Sequence, residues 1–173
     1  MTARIGLLEA CRIHILELMG FQISALPKQT FEHLFALTDE ELKSRGALRT
    51  TVTKKPGFPC RVGLTDGEIG EEIILTHYEH QSAESPFRAS HAVYVRPHAE
   101  TAQPAPNTVP DQLRSRVLSL RAFDDQGMLI ASDIPDGTSV EALIERLFED
   151  PNVAYIHAHY AKPGCYAARI DRN

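Results

Sequence analysis

The chain has 173 residues, 43% hydrophobic and 24% charged, with a formal net charge of −5 at pH 7; this balance fits one globular domain burying roughly 70% of its unfolded surface and excludes a disordered chain. Without a basic surplus, nucleic acid is not expected as a partner. Cys11, Cys60 and Cys165 are odd in number and never spaced CxxC, which excludes a zinc ribbon and a paired secreted scaffold and reads as reduced thiols of a cytoplasmic protein.

Residues 1–18 place Leu8, Cys11, Ile15 and Leu18 at helical spacing, so they read either as an amphipathic helix or as an extension ahead of a start at Met19. Glu9, Arg12, His14 and Glu17 interrupt every apolar run there, and no stretch of the chain reaches the ~20 apolar residues of a membrane span. Neither a signal peptide nor a membrane partner is expected. Phe21, Ile23 and Ala25 alternate with polar neighbours as a strand ended by Pro27. Residues 30–37 read as a helix, and Thr38 with Glu41 has the spacing of a capping box that opens a second helical turn, closed by Gly46. Residues 50–53 are β-branched strand material, Pro56-Gly57 and Asp66-Gly67 are turns, and residues 72–80 form a stronger strand.

After the loop "SAESPFRAS", residues 91–96 read as a strand, and "PHAETAQPAPNTVP" is a proline-rich connector too polar to pack. A short helix is expected at 111–116, then a hairpin in "VLSLRAFDDQGMLIASDI". In "TSVEALIERLFEDP", Thr138 caps a helix whose buried stripe is Val140, Leu143, Ile144 and Leu147. The run 153–171 is a hairpin about Pro163-Gly164. Strand pairs joined by short turns, with few helices between them, define an α+β fold: a mainly antiparallel sheet with helices on one face, in a single domain over 19–173.

The chemistry gathers in "YIHAHYAKPGC". In a strand, Tyr155, His157 and His159 share one face while Ala154, Ile156, Ala158 and Tyr160 share the other, which is the core face. If the return strand buries Tyr166, Ala168 and Ile170, then Cys165 and Arg169 fall on the histidine face. That register needs an odd-numbered loop, whereas Pro163-Gly164 alone suggests a two-residue turn; a bulge would reconcile them, and the burial pattern decides the register. Arg88 and His91 lie where a loop enters a strand, and Arg121 faces away from Leu118 and Leu120. Three guanidinium forks, on Arg88, Arg121 and Arg169, suit a small anionic ligand, with His157 or His159 as acid or base.

Two other chemistries fit the same residues. His-x-His on a strand seats two imidazoles ~7 Å apart at Cβ, close enough for one divalent ion. A third and fourth ligand would come from His80, His91, Glu79 or Cys165, and the spacing alone assigns no metal. Cys165 with a histidine base has the residue types of a thiol enzyme. Against all three stands the plain alternative that the histidines donate hydrogen bonds on a half-buried sheet.

"KPGFPCR", "YEHQ", "SPFRASHAVYVR", "SLRAFD" and "DPNVAYIHAHYAKPGCYAARIDR" together resemble a bacterial family catalogued as domain of unknown function 1203, from about Phe21 to the C-terminus. The resemblance implies no activity, ligand or catalytic residue. "KPGFPCR" and "KPGCYAAR" also resemble one another, each a Lys-Pro-Gly turn followed by cysteine and arginine. Three function classes follow from the residues: a pocket for a small anionic ligand, a divalent-metal protein, and a non-catalytic interaction or regulatory module. Substrate, cofactor and oligomeric state have no signature in the sequence.

Overall fold

Alternating burial begins at once: β1 (Phe21–Ser24) buries Phe21 and Ile23. The computed structural model describes residues 20–135 and 140–173. Residues 1–18, with the helix or extension expected there, Met19 and the expected cap Thr138 lie outside the described residues.

The helix expected at 30–37 is two 3₁₀ turns, Lys28–Thr30 and Glu32–Ala36. Every backbone bond there runs three residues back, as in Phe31 N–H to Lys28 and Leu34 N–H to Phe31, and neither turn has a side-chain cap. Without a cap and a long apolar stripe, nothing carries such a turn into an α-helix. Where the sequence does supply a capping box, at Thr38 and Glu41, an α-helix forms: α1 (Asp39–Ser44).

The remaining elements are β2 (Leu48–Thr51), β3 (Glu72–Gln81), β4 (Ala89–Val95), α2 (Asp111–Arg114), β5 (Leu118–Phe123), β6 (Leu129–Asp133), α3 (Val140–Phe148), β7 (Tyr155–Tyr160) and β8 (Tyr166–Arg172). The fold is α+β and mainly antiparallel, as the turn pattern predicts, but the strands divide between two sheets. One has the order β1-β8-β7-β5-β6 and the other β2-β3-β4, all paired antiparallel.

Helix α3 lays Val140, Leu143, Ile144 and Leu147 against one face of the large sheet, with Leu118, Leu120, Ile156 and Ile170 beneath. A second apolar cluster, including Phe31, Leu42, Ile74, Val93 and Val95, covers the inner face of the small sheet. At ~1.5–3 kcal/mol for each large side chain removed from water, these two clusters are the main stabilising mass. The proline-rich connector, expected to be too polar to pack, is fixed by its backbone. Ala102 N–H donates to Val62 O at 2.8 Å, and Asn107 accepts from Phe21 N–H at 2.7 Å through its side chain while its own N–H donates to Phe21 O at 2.9 Å. Polar composition did not prevent packing because main-chain groups supplied the contacts.

Candidate functional site

The pleat fixes the first two residues of the site. Ile156 and Ala158 sit in the core beneath α3, so Tyr155, His157 and His159 project from the opposite face of β7. That face was expected to look onto solvent or a pocket. It looks onto the small sheet, and His157 and His159 are 1% and 0% exposed.

The facing sheet contributes His91 and His80. His91 projects inward with Val93 and Val95. Strands β3 and β4 stay in register to Glu79↔Ser90 and resume at Gln81↔Ala89, which leaves His80 as an extra residue. A bulge re-aims side chains by breaking the two-residue period. Consecutive residues therefore both reach the large sheet: Gln81 donates through Nε2 to the Tyr155 hydroxyl at 2.6 Å, and His80 meets the histidines.

His80 Nδ1 is 3.4 Å from His157 Nδ1, and His80 Nε2 is 2.7 Å from His91 Nδ1. His159 Nδ1 lies 3.0 Å from the carbonyl oxygen of Gly164. A carbonyl only accepts, so Nδ1 carries the proton and Nε2 is a bare lone pair. That Nε2 is buried and has no hydrogen-bond partner among the described residues. Gly164 can offer its carbonyl because its φ of +74° is open to glycine at little cost. One nitrogen from each of His80, His157 and His159 lies within 4.8 Å of the others.

Burial lowers the basicity of all four rings. His157 falls to about 2, through burial first and then the neighbouring His80, His159, Arg169 and Arg121. His159 falls to about 3, its burial partly opposed by the Gly164 carbonyl, and His80 to about 4 through burial, His91 and Arg121. His91 is lowered in the same direction by burial, then by Arg121 and Arg61. These imidazoles are neutral at pH 7, the form that binds metals.

Of the three expected arginines, Arg121 alone combines an effect on the cluster with the absence of an ion pair among the described residues. It stands opposite His157 in the β5–β7 register and makes no ion pair among the described residues. Arg169, opposite His157 on the other side, pairs with Asp171 at 2.8 Å and lies 3.9 Å above the Tyr155 ring. Arg88 turns to the outside of β3 and pairs with Glu79 at 2.5 Å, which also removes Glu79 from the candidate ligands.

Cys165 is not on the histidine face. A bulge is present, and it falls inside β8: Ala158 pairs with Ala168 and His159 with Tyr166, leaving Ala167 extra. The extra residue reverses the phase of everything before it. Tyr166, expected in the core beside Ala168 and Ile170, instead stacks on His80 with ring centroids 4.7 Å apart. Cys165 turns to the rim of the α3-side core, where Arg61 Nη2 donates to its sulfur at 3.0 Å. Arg61, 1% exposed, had no signal in the sequence beyond its place in the repeated Lys-Pro-Gly, cysteine, arginine pattern.

A mainly antiparallel two-sheet domain with a buried histidine cluster is the class that fold and geometry define. The chain belongs to the family described as protein of unknown function (DUF1203), whose model matches residues 57–172 and so takes in every histidine and arginine of the cluster. No curated protein and no solved structure matches the chain. Among the described residues, no helix is long and apolar enough to cross a membrane.

Proposed function

We propose that the protein binds one divalent transition-metal ion on His80, His157 and His159 and uses it at a position left open for a small anionic ligand. The observation that carries this reading is the bare, buried Nε2 of His159, held toward the other imidazoles by the Gly164 carbonyl. A buried polar atom without a partner is costly, and a metal ion is the acceptor such a lone pair fits. His80 has the same construction, with one ring nitrogen toward His157 and the other toward His91. Metal-bound imidazoles are commonly oriented through their second nitrogen in this way.

An all-imidazole set suits zinc, iron, nickel or copper, and the lack of carboxylates in it argues against calcium and magnesium. The 3.4 Å between His80 and His157 is already the spacing that bonds of about 2.0–2.1 Å in a tetrahedral shell require. Three ligands leave a fourth position, as in catalytic rather than structural zinc sites. Arg121, opposite His157 in the β5–β7 pairing, would supply the charge to hold an anionic group there. Imidazoles that stay neutral far below pH 7 serve as ligands better than as proton donors, so the reading gives His157 and His159 the metal rather than the acid-base role.

The test is metal content and titration. Protein stripped of metal and titrated with Co²⁺ should take up one equivalent with the visible absorption of a low-symmetry imidazole site, and His159→Gln should abolish it. His77→Ala, on the exposed outer side of β3, should bind as the parent does. A folded parent protein that binds no Co²⁺ or Zn²⁺ at saturating concentrations would falsify the reading.

A further inference from the structure

A cavity lies on the far side of the β7–β8 turn, with a volume of about 670 Å³. Its walls include Arg61, Arg116, Lys162, Tyr94, Tyr160 and Cys165, and no aspartate or glutamate lines it. In a chain with 23 acidic and 18 basic side chains, three cations line a cavity whose described lining has no carboxylate.

Arg61 is the key residue. It is 1% exposed and makes no ion pair among the described residues. Its Nε donates to Tyr166 O at 2.9 Å, Nη1 donates to Pro59 O, and Nη2 donates to Cys165 Sγ at 3.0 Å. Three of the five guanidinium N–H groups are thus taken by two carbonyls and a sulfur, and two remain. The charge itself has no counter-ion among the described residues, which is the costly condition for a buried cation. Arg116 differs, since it pairs with Asp66, a residue outside the cavity lining. Lys162, exposed at the mouth, has no ion pair among the described residues. Two cations without an ion pair among the described residues, Arg61 at the floor 4.9 Å over the Tyr160 ring and Lys162 at the rim, face a space whose walls also include Tyr94, Pro59, Leu75 and Val117.

We infer that this cavity binds a small molecule carrying an oxyanion, phosphate or carboxylate, on an apolar or aromatic body. The oxyanion neutralises Arg61 and Lys162, and the body fills the apolar walls. The volume lies within the range of small-molecule sites, and few convergent polar groups in an otherwise apolar pocket is their usual composition. Arginine and lysine differ in the way such a site needs: the buried guanidinium is a fixed fork, and the exposed ammonium a movable charge. The inference is independent of the metal proposal, because none of its residues is a ligand there.

The probes are phenyl phosphate and benzoate, compared by calorimetry with phenol, which has the ring without the charge. Binding of either anion at least about tenfold tighter than phenol supports the inference and identifies the preferred oxyanion; equal binding of phenol overturns it. Lys162→Glu reverses an exposed charge without touching the packed interior, and should weaken the preferred anion at least about tenfold. Arg61→Gln should do the same where it folds. The anion should also slow alkylation of Cys165 by uncharged iodoacetamide, followed by mass spectrometry of the peptide. Rapid alkylation of Cys165 that phenyl phosphate and benzoate at saturating concentrations leave unchanged would mean that neither occupies the cavity beside Cys165, and the inference would fail.

Discussion

The β7–β8 hairpin serves two regions of opposite character. Between the sheets, four rings kept neutral by burial leave the Nε2 lone pair of His159 without a partner among the described residues, and Arg121 stands opposite His157. Beyond the turn, Arg61 and Lys162 present positive charge to an apolar space. The first region is short of an electron-pair acceptor and the second of an anion. One residue of offset separates them: Gly164 turns its carbonyl to His159, and Cys165 turns its sulfur to Arg61. The difference teaches that a hairpin with a bulge can hold two chemistries back to back because adjacent residues are sent to different sides.

The strongest way to break the comparison is to empty one region and read the other. His159→Gln should lower Zn²⁺ or Co²⁺ affinity at least about 100-fold, since it removes a ligand whose orientation is already fixed. Phenyl phosphate binding beyond the turn should change less than about twofold, because the sites share no side chain. Parallel loss of both would show that the hairpin is one unit and not two sites.

Proton dependence separates the regions next. An exposed histidine site loses metal as pH falls through about 6.5, where imidazole protonates. Here the free ligands protonate only near 4, 3 and 2, so metal affinity should stay nearly flat from pH 8 to about pH 5. Stability of the metal-free protein should show the same groups with a definite sign. The unfolded chain takes up protons at these histidines below its own value of about 6.5, whereas the native state does not until far lower. Stability is therefore full above pH 6.5 and is lost as pH falls from there through about 4 and 3 toward about 2, with net proton uptake on unfolding of up to about four. Chemical denaturation across that range checks it; stability that rises on acidification would contradict the buried neutral rings.

The next effect is that of His91, which touches the proposed metal only through His80 Nε2, 2.7 Å away. His91→Ala should weaken metal roughly tenfold to 100-fold while leaving the stoichiometry at one, the usual cost of losing a group that orients a ligand. A complete loss of stoichiometry would make His91 a ligand in its own right. Smallest of all, Arg88→Ala should alter neither metal nor anion binding, because Arg88 and Glu79 form a solvent-exposed pair outside both regions. Titrations of that variant alongside the parent protein decide whether the sequence grouping of Arg88 with the histidines has any functional content.

The sequence by itself determined what depends on near neighbours. The Thr38–Glu41 capping box, the α3 stripe and the alternation that puts His157 and His159 on one face of β7 are local patterns, and each is present. The two-sheet arrangement, which seals that face instead of opening it, depends on contacts across most of the chain, such as His80 with His157 and Arg61 with Tyr166. Both bulges have the same origin. An extra residue at His80 or Ala167 leaves no mark in composition, because it is selected by how two distant strands meet. Those single-residue slips brought Tyr166 onto His80 and sent Cys165 to Arg61, and only tertiary packing, which rewards burial over strict alternation, chose them.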